Sequence, residues 1–330
     1  MKLTISGRAA KSAALCAVAS RVFLGLVVDM PTTHNGAWLS ALLGGLLAAP
    51  WLVCARTVRA SRVAQSLLAL YVVLDAASVL SALTRSAGYL ALDRASPMLL
   101  ALPAGVAVLW SVWRGGDAIG YASMIWVRIA ALLLVALALL QWQYFRPEWL
   151  APALGNGWTA IADGGIRAAG WIASASAVLA VPDPEGYPLS VLPPPMGGIW
   201  VCALLMTMAG MLTPTTLFGA WLNRLDDLLC NGRAPLYLQL PLIVLWFAGL
   251  LHLLVVQCFS AAALLQGSVG IRGRLCGLFV VAAVLVLSRQ EALAALSVFI
   301  SKWGFVAIGM VSALPVLFVE GGPPACEPRE

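Results

Sequence analysis

Ionisable side chains that fall inside long apolar stretches are the residues of this chain whose chemistry is most informative. They are Arg21, Asp75, Arg128, Arg167 and His252. A charge at the centre of a membrane-spanning helix costs about 2.5–3.5 kcal/mol on insertion scales, so each needs a partner, water or a path to the interface. The Asp75 side chain is too short to reach the interface. We therefore expect it to pair with Arg21 or Arg128, or to face water in a site that binds a ligand or an ion.

The other ionisable residues each have a structural alternative to a functional role. The long Arg128 side chain can extend to the membrane interface. His252 lies in the middle of "GLLHLLVVQ", where a hydrogen bond to a neighbouring helix is the commoner role. Asp163 and Arg167 have i,i+4 spacing, which allows an ion pair along a single helix.

Two adjacent glycines, Gly164 and Gly165, have two interpretations. Small residues allow two helices to pack closely. Alternatively, the glycines break their helix, and the freed N–H groups at the start of its second half bind the carboxylate of a small zwitterion. The first predicted helix is also interrupted, by Gly25, Asp29 and Pro31. Interruptions at matching places in the two halves of a chain are typical of transporters built from inverted repeats.

The elements that must position these residues are long apolar segments. The chain is 62% hydrophobic and only 10% charged, whereas about 25% of the residues in a soluble domain are charged. A helix needs about 20 mostly apolar residues to cross a bilayer, and an open strand cannot cross because its backbone groups would lack hydrogen-bond partners. The fold class is therefore predicted to be an all-α polytopic membrane protein with about ten transmembrane helices. The predicted spans are 12–30, 37–55, 64–84, 96–113, 119–141, 158–181, 197–222, 236–265, 273–288 and 303–319.

The spans are predicted to form a single transmembrane domain, residues 1–319, followed by a short disordered cytoplasmic tail at 320–330. Basic residues precede the first span, and Arg56, Arg59 and Arg62 lie in the second link. Because cytoplasmic links carry an excess of Lys and Arg, we expect the N-terminus to be cytoplasmic. The N-terminal segment resembles a signal peptide, but its apolar stretch resumes after Arg21, so a first transmembrane helix is expected instead.

Several classes of function have no support in the sequence. The formal charge is +6, and the Lys and Arg residues are scattered over the ends of the predicted helices. Basic residues at these places set the orientation of the helices in the membrane and contact lipid headgroups, so the charge does not indicate nucleic-acid binding. The seven cysteines contain no C-x-x-C pair and the only histidines are His34 and His252, so neither a disulfide framework nor a metal site is predicted. No G-x-S-x-G, H-E-x-x-H or P-loop motif is present. We therefore expect no enzymatic activity and no cofactor.

Three segments, in order along the chain, resemble the spore germination permeases. These are the membrane-embedded B subunits of nutrient germinant receptors and belong to the amino acid–polyamine–organocation transporter superfamily. The segments are "MPTTHNGAWLSALLGGLLAAPWL" (30–52), "RPEWLAPALGNGWTAIADGGIRAAGWIASASAVL" (146–179) and "LIVLWFAGLLHLLVVQCFSAAALLQG" (242–267). The second is the most specific, because the family has a similar "LGNG" turn before an interrupted sixth helix. A shorter segment, "GGDAIGYAS" (115–123), is similar to the family's entry into its fifth span.

The resemblance implies a transporter-like inverted-repeat fold with broken helices one and six, and a ligand pocket between spans one, three, six and eight. The candidate ligand-binding residues that it implies are Gly25, Asp75, Gly164, Gly165 and His252. It also implies an A-type membrane subunit and a C-type lipoprotein subunit as partners, all located in the spore inner membrane.

Three functions are compatible with these observations. The first is a nutrient-sensing subunit of a germinant receptor, which binds an amino-acid-like ligand at mid-membrane and signals to its partners by a conformational change. The second is an H⁺- or Na⁺-coupled secondary transporter of amino acids or amines, with Asp75 as an ion site. The third is a membrane scaffold that binds no ligand and only holds the partner subunits together.

Overall fold

The computed structural model describes residues 3–28, 37–55, 57–91, 96–141, 157–181, 236–270, 272–289 and 303. Within these residues all regular structure is helical. The α-helices are α1 (Gly7–Val28), α2 (Ala37–Cys54), α3 (Arg62–Ala91), α4 (Pro97–Arg114), α5 (Gly116–Gln141), α6 (Trp158–Ala175), α7 (Leu236–Val269) and α8 (Gly273–Leu287). Two short 3₁₀ helices, Thr57–Ala60 and Ser176–Ala180, precede α3 and follow α6.

The helices lie where the apolar segments predict them. Each of α1 to α6 overlaps the predicted span of the same number, and α7 and α8 overlap the eighth and ninth spans. The predicted spans 197–222 and 303–319, apart from Trp303, lie outside the described residues, as does the tail 320–330. The all-helical fold class is therefore confirmed, whereas the count of ten spans stays a prediction.

Some of the described helices are long and apolar enough to cross a bilayer, and others are shorter. Among the described residues, Arg62–Arg85 of α3 and Phe247–Val269 of α7 are long and apolar enough to cross alone. A third span is added if α4 and α5, between which the helix direction bends by 115°, count as a single broken span. The apolar stretches Leu39–Trp51 and Gly273–Leu287 are shorter.

A tight turn joins α4 to α5. Gly115 has a φ of 99°, a conformation that side chains with a Cβ rarely adopt. Its N–H bonds the carbonyl oxygen of Val112 at 3.3 Å, which closes the end of α4 before α5 begins. The start of α4 is capped by Ser96, whose hydroxyl accepts the Leu99 N–H at 3.4 Å, as is usual for a serine at a helix N-terminus.

Small residues bring neighbouring helices into backbone contact. A Cβ built on Gly44 of α2 would collide with Ala168 of α6, and one on Gly165 of α6 would lie 2.6 Å from Leu43 Cδ2 of α2. The helix α6 runs through Gly164 and Gly165 without a break. The prediction that the glycine pair breaks the sixth span is therefore wrong. Gly165 instead allows close packing against α2, which was the alternative interpretation.

The change of helix type in the sixth span comes later than predicted. The α-helix gives way to the 3₁₀ helix at Ser176, whose hydroxyl accepts the Trp51 indole N–H at 3.0 Å. In the first span, α1 is regular through Arg21 and Gly25 to Val28. A break in that span therefore does not lie within Gly7–Val28, and residues 29–36 lie outside the described residues.

Candidate functional site

A buried ion pair joins the middle of α1 to the middle of α3. The Arg21 Nη2 atom lies 2.7 Å from Asp75 Oδ1, and Arg21 Nε donates to Asp75 Oδ2 at 3.2 Å. The side chains are only 3% and 5% exposed. The two parallel hydrogen bonds of this fork are the strongest arrangement that a guanidinium and a carboxylate can form. Of the two predicted partners of Asp75, the structure selects Arg21, because Arg128 is exposed on α5.

Two neutral side chains complete the hydrogen bonding of the carboxylate. Ser174 of α6 donates its hydroxyl to Asp75 Oδ2. Gln257 of α7 donates through Nε2 to Asp75 Oδ2 at 2.7 Å and to Ser174 Oγ at 2.9 Å. We call these four residues, Arg21, Asp75, Ser174 and Gln257, the four-helix cluster. Each comes from a different helix, so the cluster fixes α1, α3, α6 and α7 relative to one another.

An indole ring covers the guanidinium. The centre of the Trp171 ring lies 5.1 Å from Arg21 Cζ, within the range of a cation–π interaction. Trp171 precedes Ser174 by three residues, and this spacing places both on the same face of α6. One helical turn before Asp75, the Tyr71 hydroxyl donates to the Gly170 carbonyl at 3.1 Å and ties α3 to α6 beside the cluster.

Two polar atoms at the cluster have no hydrogen-bond partner among the described residues. They are Oε1 of Gln257, an acceptor, and Nε1 of Trp171, a donor. Both side chains are fully buried. An unsatisfied buried polar group costs about 1–3 kcal/mol, so the cluster has both a donor and an acceptor from which a small polar ligand could gain binding energy.

The predicted site residues separate into those at the cluster and those elsewhere. Asp75 is at its centre, and Gly25 lies in α1 one turn beyond Arg21. Gly164 and Gly165 lie about 15 Å from Ser174 along α6, at a rise of about 1.5 Å per residue. The structure does not bring them to the cluster, and Gly165 packs against Leu43 of α2.

His252 also lies away from the cluster. Its Nε2 is 2.6 Å from the Ser123 hydroxyl of α5, and that hydroxyl also donates to the Ile119 carbonyl at 2.7 Å. His252 therefore makes the helix–helix hydrogen bond that was the structural alternative. The pair joins α7 to α5.

A second arginine holds the end of the 3₁₀ helix that follows α6. Arg59 donates through Nε to the Ala180 carbonyl at 3.1 Å and through Nη2 to the Leu179 carbonyl at 3.2 Å. Nη2 also contacts the Val181 carbonyl. The carbonyl groups at a helix C-terminus carry partial negative charge and attract a cation. We call this interaction the Arg59 clamp.

The sequence pointed to part of the cluster only. Asp75 and Arg21 are conspicuous because charges are rare at membrane depth. Ser174, Gln257 and Trp171 are neutral, and such residues are common in apolar helices. The available signal was the polar "Q" in the apolar run "LLHLLVVQCFS" and the serine one turn after Trp171. Neither could be connected to Asp75 without knowing which helices meet.

Comparisons with solved structures identify the fold. The structure of MhsT in complex with L-phenylalanine matches with a TM-score of 0.67 and 15% identity, over 97% of this chain and 91% of that chain. A mutant of the manganese transporter from Eremococcus coleocola matches with a TM-score of 0.50 and 15% identity, over 95% of this chain and 78% of that chain. The protein is therefore a membrane protein with a transporter-like helical fold, as predicted. No protein-family model and no curated protein matches the chain.

Proposed function

We propose that this chain is the nutrient-sensing membrane subunit of a spore germinant receptor. The observation that carries the proposal is the four-helix cluster, in which opposite charges from α1 and α3 meet neutral side chains from α6 and α7. The resemblance of the sequence to spore germination permeases implies a ligand pocket between spans one, three, six and eight. Those spans contain the helices that contribute the cluster.

The charges of the cluster complement a zwitterionic amino acid. Its carboxylate would bind the Arg21 guanidinium, and its ammonium group would bind the Asp75 carboxylate. Removing one partner of a buried ion pair leaves an uncompensated charge, which costs about 3–5 kcal/mol. A neutral or singly charged molecule that separated Arg21 from Asp75 would leave at least one of them unpaired. A zwitterion compensates both, and the Trp171 N–H and Gln257 Oε1 offer it two further hydrogen bonds.

Ligand binding at this point has a built-in conformational consequence. In this structure Arg21 and Asp75 bond each other directly, so a zwitterion that binds between them must break this contact. We propose that α1 moves away from α3 when it does. A ligand shifts a conformational equilibrium only by its difference in affinity for the two states. Here the difference is large, because the state in which the pair is closed has no room for the ligand between its charges. The A-type and C-type subunits would receive the signal as this change in helix position.

Coupled transport of an amino acid or amine is the second candidate, because the fold is shared with a manganese transporter. A transporter and a sensor of this fold would bind the ligand with the same residues and differ only in whether the ligand crosses the membrane. Among the residues that the structure describes, no three His, Cys, Asp or Glu side chains are grouped as a metal site would require. The cargo proposed for such a transporter is an amino acid or an amine.

Reconstitution distinguishes these functions. The purified protein in proteoliposomes would be tested for saturable binding and for counterflow of a panel of radiolabelled amino acids. A sensor binds at least one of them and exchanges none across the bilayer, and its gene is expected beside genes for the A-type and C-type subunits. Counterflow would establish the transporter. If no amino acid binds, the chain is a scaffold and the cluster is a structural ion pair.

A further inference from the structure

A cavity lies between the start of α1 and the first turns of α5, where the sequence predicts a membrane boundary. Its volume is about 390 Å³. The cavity is far from the four-helix cluster, since Arg8, on its wall, lies about 20 Å from Arg21 along α1 at a rise of about 1.5 Å per residue. The lining residues are Ser6, Arg8, Ala9, Ser12, Gly120, Tyr121 and Met124.

The polar wall of the cavity has a positive charge and several hydroxyls. The charge is the guanidinium of Arg8, which is exposed, and no lining residue is acidic. Among the residues described, no carboxylate pairs with Arg8. The neighbouring carboxylate, Asp117, accepts the Ser6 backbone N–H at 2.9 Å and does not line the cavity. The lining hydroxyls are those of Ser6, Ser12 and Tyr121, and the Ser12 hydroxyl donates to the Arg8 carbonyl at 3.2 Å. An arginine guanidinium forms strong, often bidentate hydrogen bonds to a phosphate group.

The other lining residues, Ala9, Gly120 and Met124, are small or apolar. Ala9 and Gly120 are buried, and a Cβ built on Gly120 would collide with Ala9, so α1 and α5 touch there. Met124 lies one turn further along α5. The lining of the cavity therefore combines one cationic side chain and three hydroxyls with small and apolar residues.

The depth of the cavity matches that of a lipid headgroup. Arg8 lies one turn before the first predicted span, which starts at residue 12, and Tyr121 lies at the start of the fifth, which begins at 119. Arg and Tyr are typical of the membrane–water interface. Basic pockets between transmembrane helices at this depth bind anionic headgroups. The volume is also within the range of about 300–1,000 Å³ of small-molecule sites.

We propose that this cavity binds the phosphodiester of an anionic phospholipid, with the phosphate on Arg8 and the glycerol and upper acyl chain against Ala9, Gly120 and Met124. The charge of Arg8 and the absence of acidic residues from the lining favour an anionic lipid over a zwitterionic one. Such a lipid holds the N-terminal turn of α1 against α5. The site is independent of the proposed nutrient site.

Native mass spectrometry of the full-length protein tests the proposal. The purified protein would be titrated in detergent with phosphatidylglycerol or with phosphatidylcholine of the same acyl chains. We expect one phosphatidylglycerol to bind preferentially, and Arg8→Gln to weaken its binding about fivefold, since a basic residue near an anionic lipid contributes about 1 kcal/mol. Arg8→Lys keeps the charge and should keep most of the affinity.

The matched control is Arg274→Gln. Arg274 is also exposed, lies at the start of α8 on the side predicted to be cytoplasmic, and does not line the cavity. The proposal is contradicted if Arg8→Gln binds phosphatidylglycerol as tightly as the unmodified protein. It is also contradicted if Arg274→Gln loses as much affinity, which indicates general attraction to basic residues. Stabilisation of the protein by inorganic phosphate to the same extent as by phosphatidylglycerol would assign the cavity to a free anion instead.

Discussion

At the scale of single residues, Arg21 and Asp75 depend on each other. Asp75→Asn leaves the Arg21 guanidinium buried without a counter-charge, and we expect it to destabilise the fold by about 3–5 kcal/mol. The double variant Arg21→Met, Asp75→Asn removes both charges and should be more stable than either single variant. Thermal unfolding of the purified protein measures this coupling. The control is Arg85→Gln, which changes an exposed arginine of α3 and should have little effect on the unfolding temperature. If Asp75→Asn has as little effect as this control, the ion pair has no structural role.

Trp171 allows the structural and ligand-binding roles to be separated. Trp171→Phe keeps an aromatic ring over Arg21 and removes the Nε1–H that has no partner among the described residues. We expect little change in thermal stability, because loss of an unpaired buried donor offsets part of the lost ring contact. The affinity for the nutrient should fall about five- to tenfold, which is the value of one hydrogen bond of about 1–1.5 kcal/mol. Unchanged affinity would remove the indole N–H from the binding site.

At the scale of elements, the Arg59 clamp fixes the 3₁₀ helix Ser176–Ala180. Arg59→Gln removes the cation and its fork of donors, so the end of the sixth span should open locally more often. Hydrogen exchange followed by mass spectrometry should show faster exchange of the amides of residues 176–181, with little change in α3. Arg62→Gln is the control, since Arg62 is an exposed residue close to Arg59 in the chain. Equal exchange in both variants would mean that the clamp contributes no local stability.

The packing of α2 against α6 gives a steric prediction. Gly165→Leu places a side chain where Leu43 already lies, and overpacking of this kind costs about 1–3 kcal/mol. Gly45→Leu is the matched control, because a Cβ on Gly45 of α2 meets no described residue within 4 Å. Gly165→Leu should lower the unfolding temperature and Gly45→Leu should not. If both variants unfold like the unmodified protein, α2 and α6 are not in backbone contact at this position.

The positions of the helices could be predicted from the sequence, whereas the contacts between them could not. Hydropathy places the helices, because a bilayer-spanning helix must be apolar over a fixed length. The same argument cannot say how a glycine pair is used, since Gly164 and Gly165 suit a break and a close contact equally well. The contact with Leu43 decides it. Likewise, Asp75 requires a partner, but the choice of Arg21 over Arg128 depends on which helices meet, and this is a tertiary property.

At the scale of the whole molecule, one fold is compatible with sensing, transport and scaffolding. The helices α1, α3, α6 and α7 converge on a compact set of charges and hydrogen-bonding groups, and this convergence distinguishes the molecule from a bundle held together by apolar packing alone. We propose that a ligand with two opposite charges separates Arg21 from Asp75 when it binds.

A thermal-shift screen tests that claim most directly. The unmodified protein would be heated with each of the twenty standard amino acids, and any that stabilises it would be retested as its methyl ester, which lacks the carboxylate, and as its N-acetyl derivative, which lacks the ammonium group. We expect at least one amino acid to raise the unfolding temperature and neither derivative to do so, because each derivative leaves Arg21 or Asp75 unpaired. The proposal is contradicted if a derivative stabilises the protein as much as the amino acid does, or if none of the twenty amino acids stabilises it.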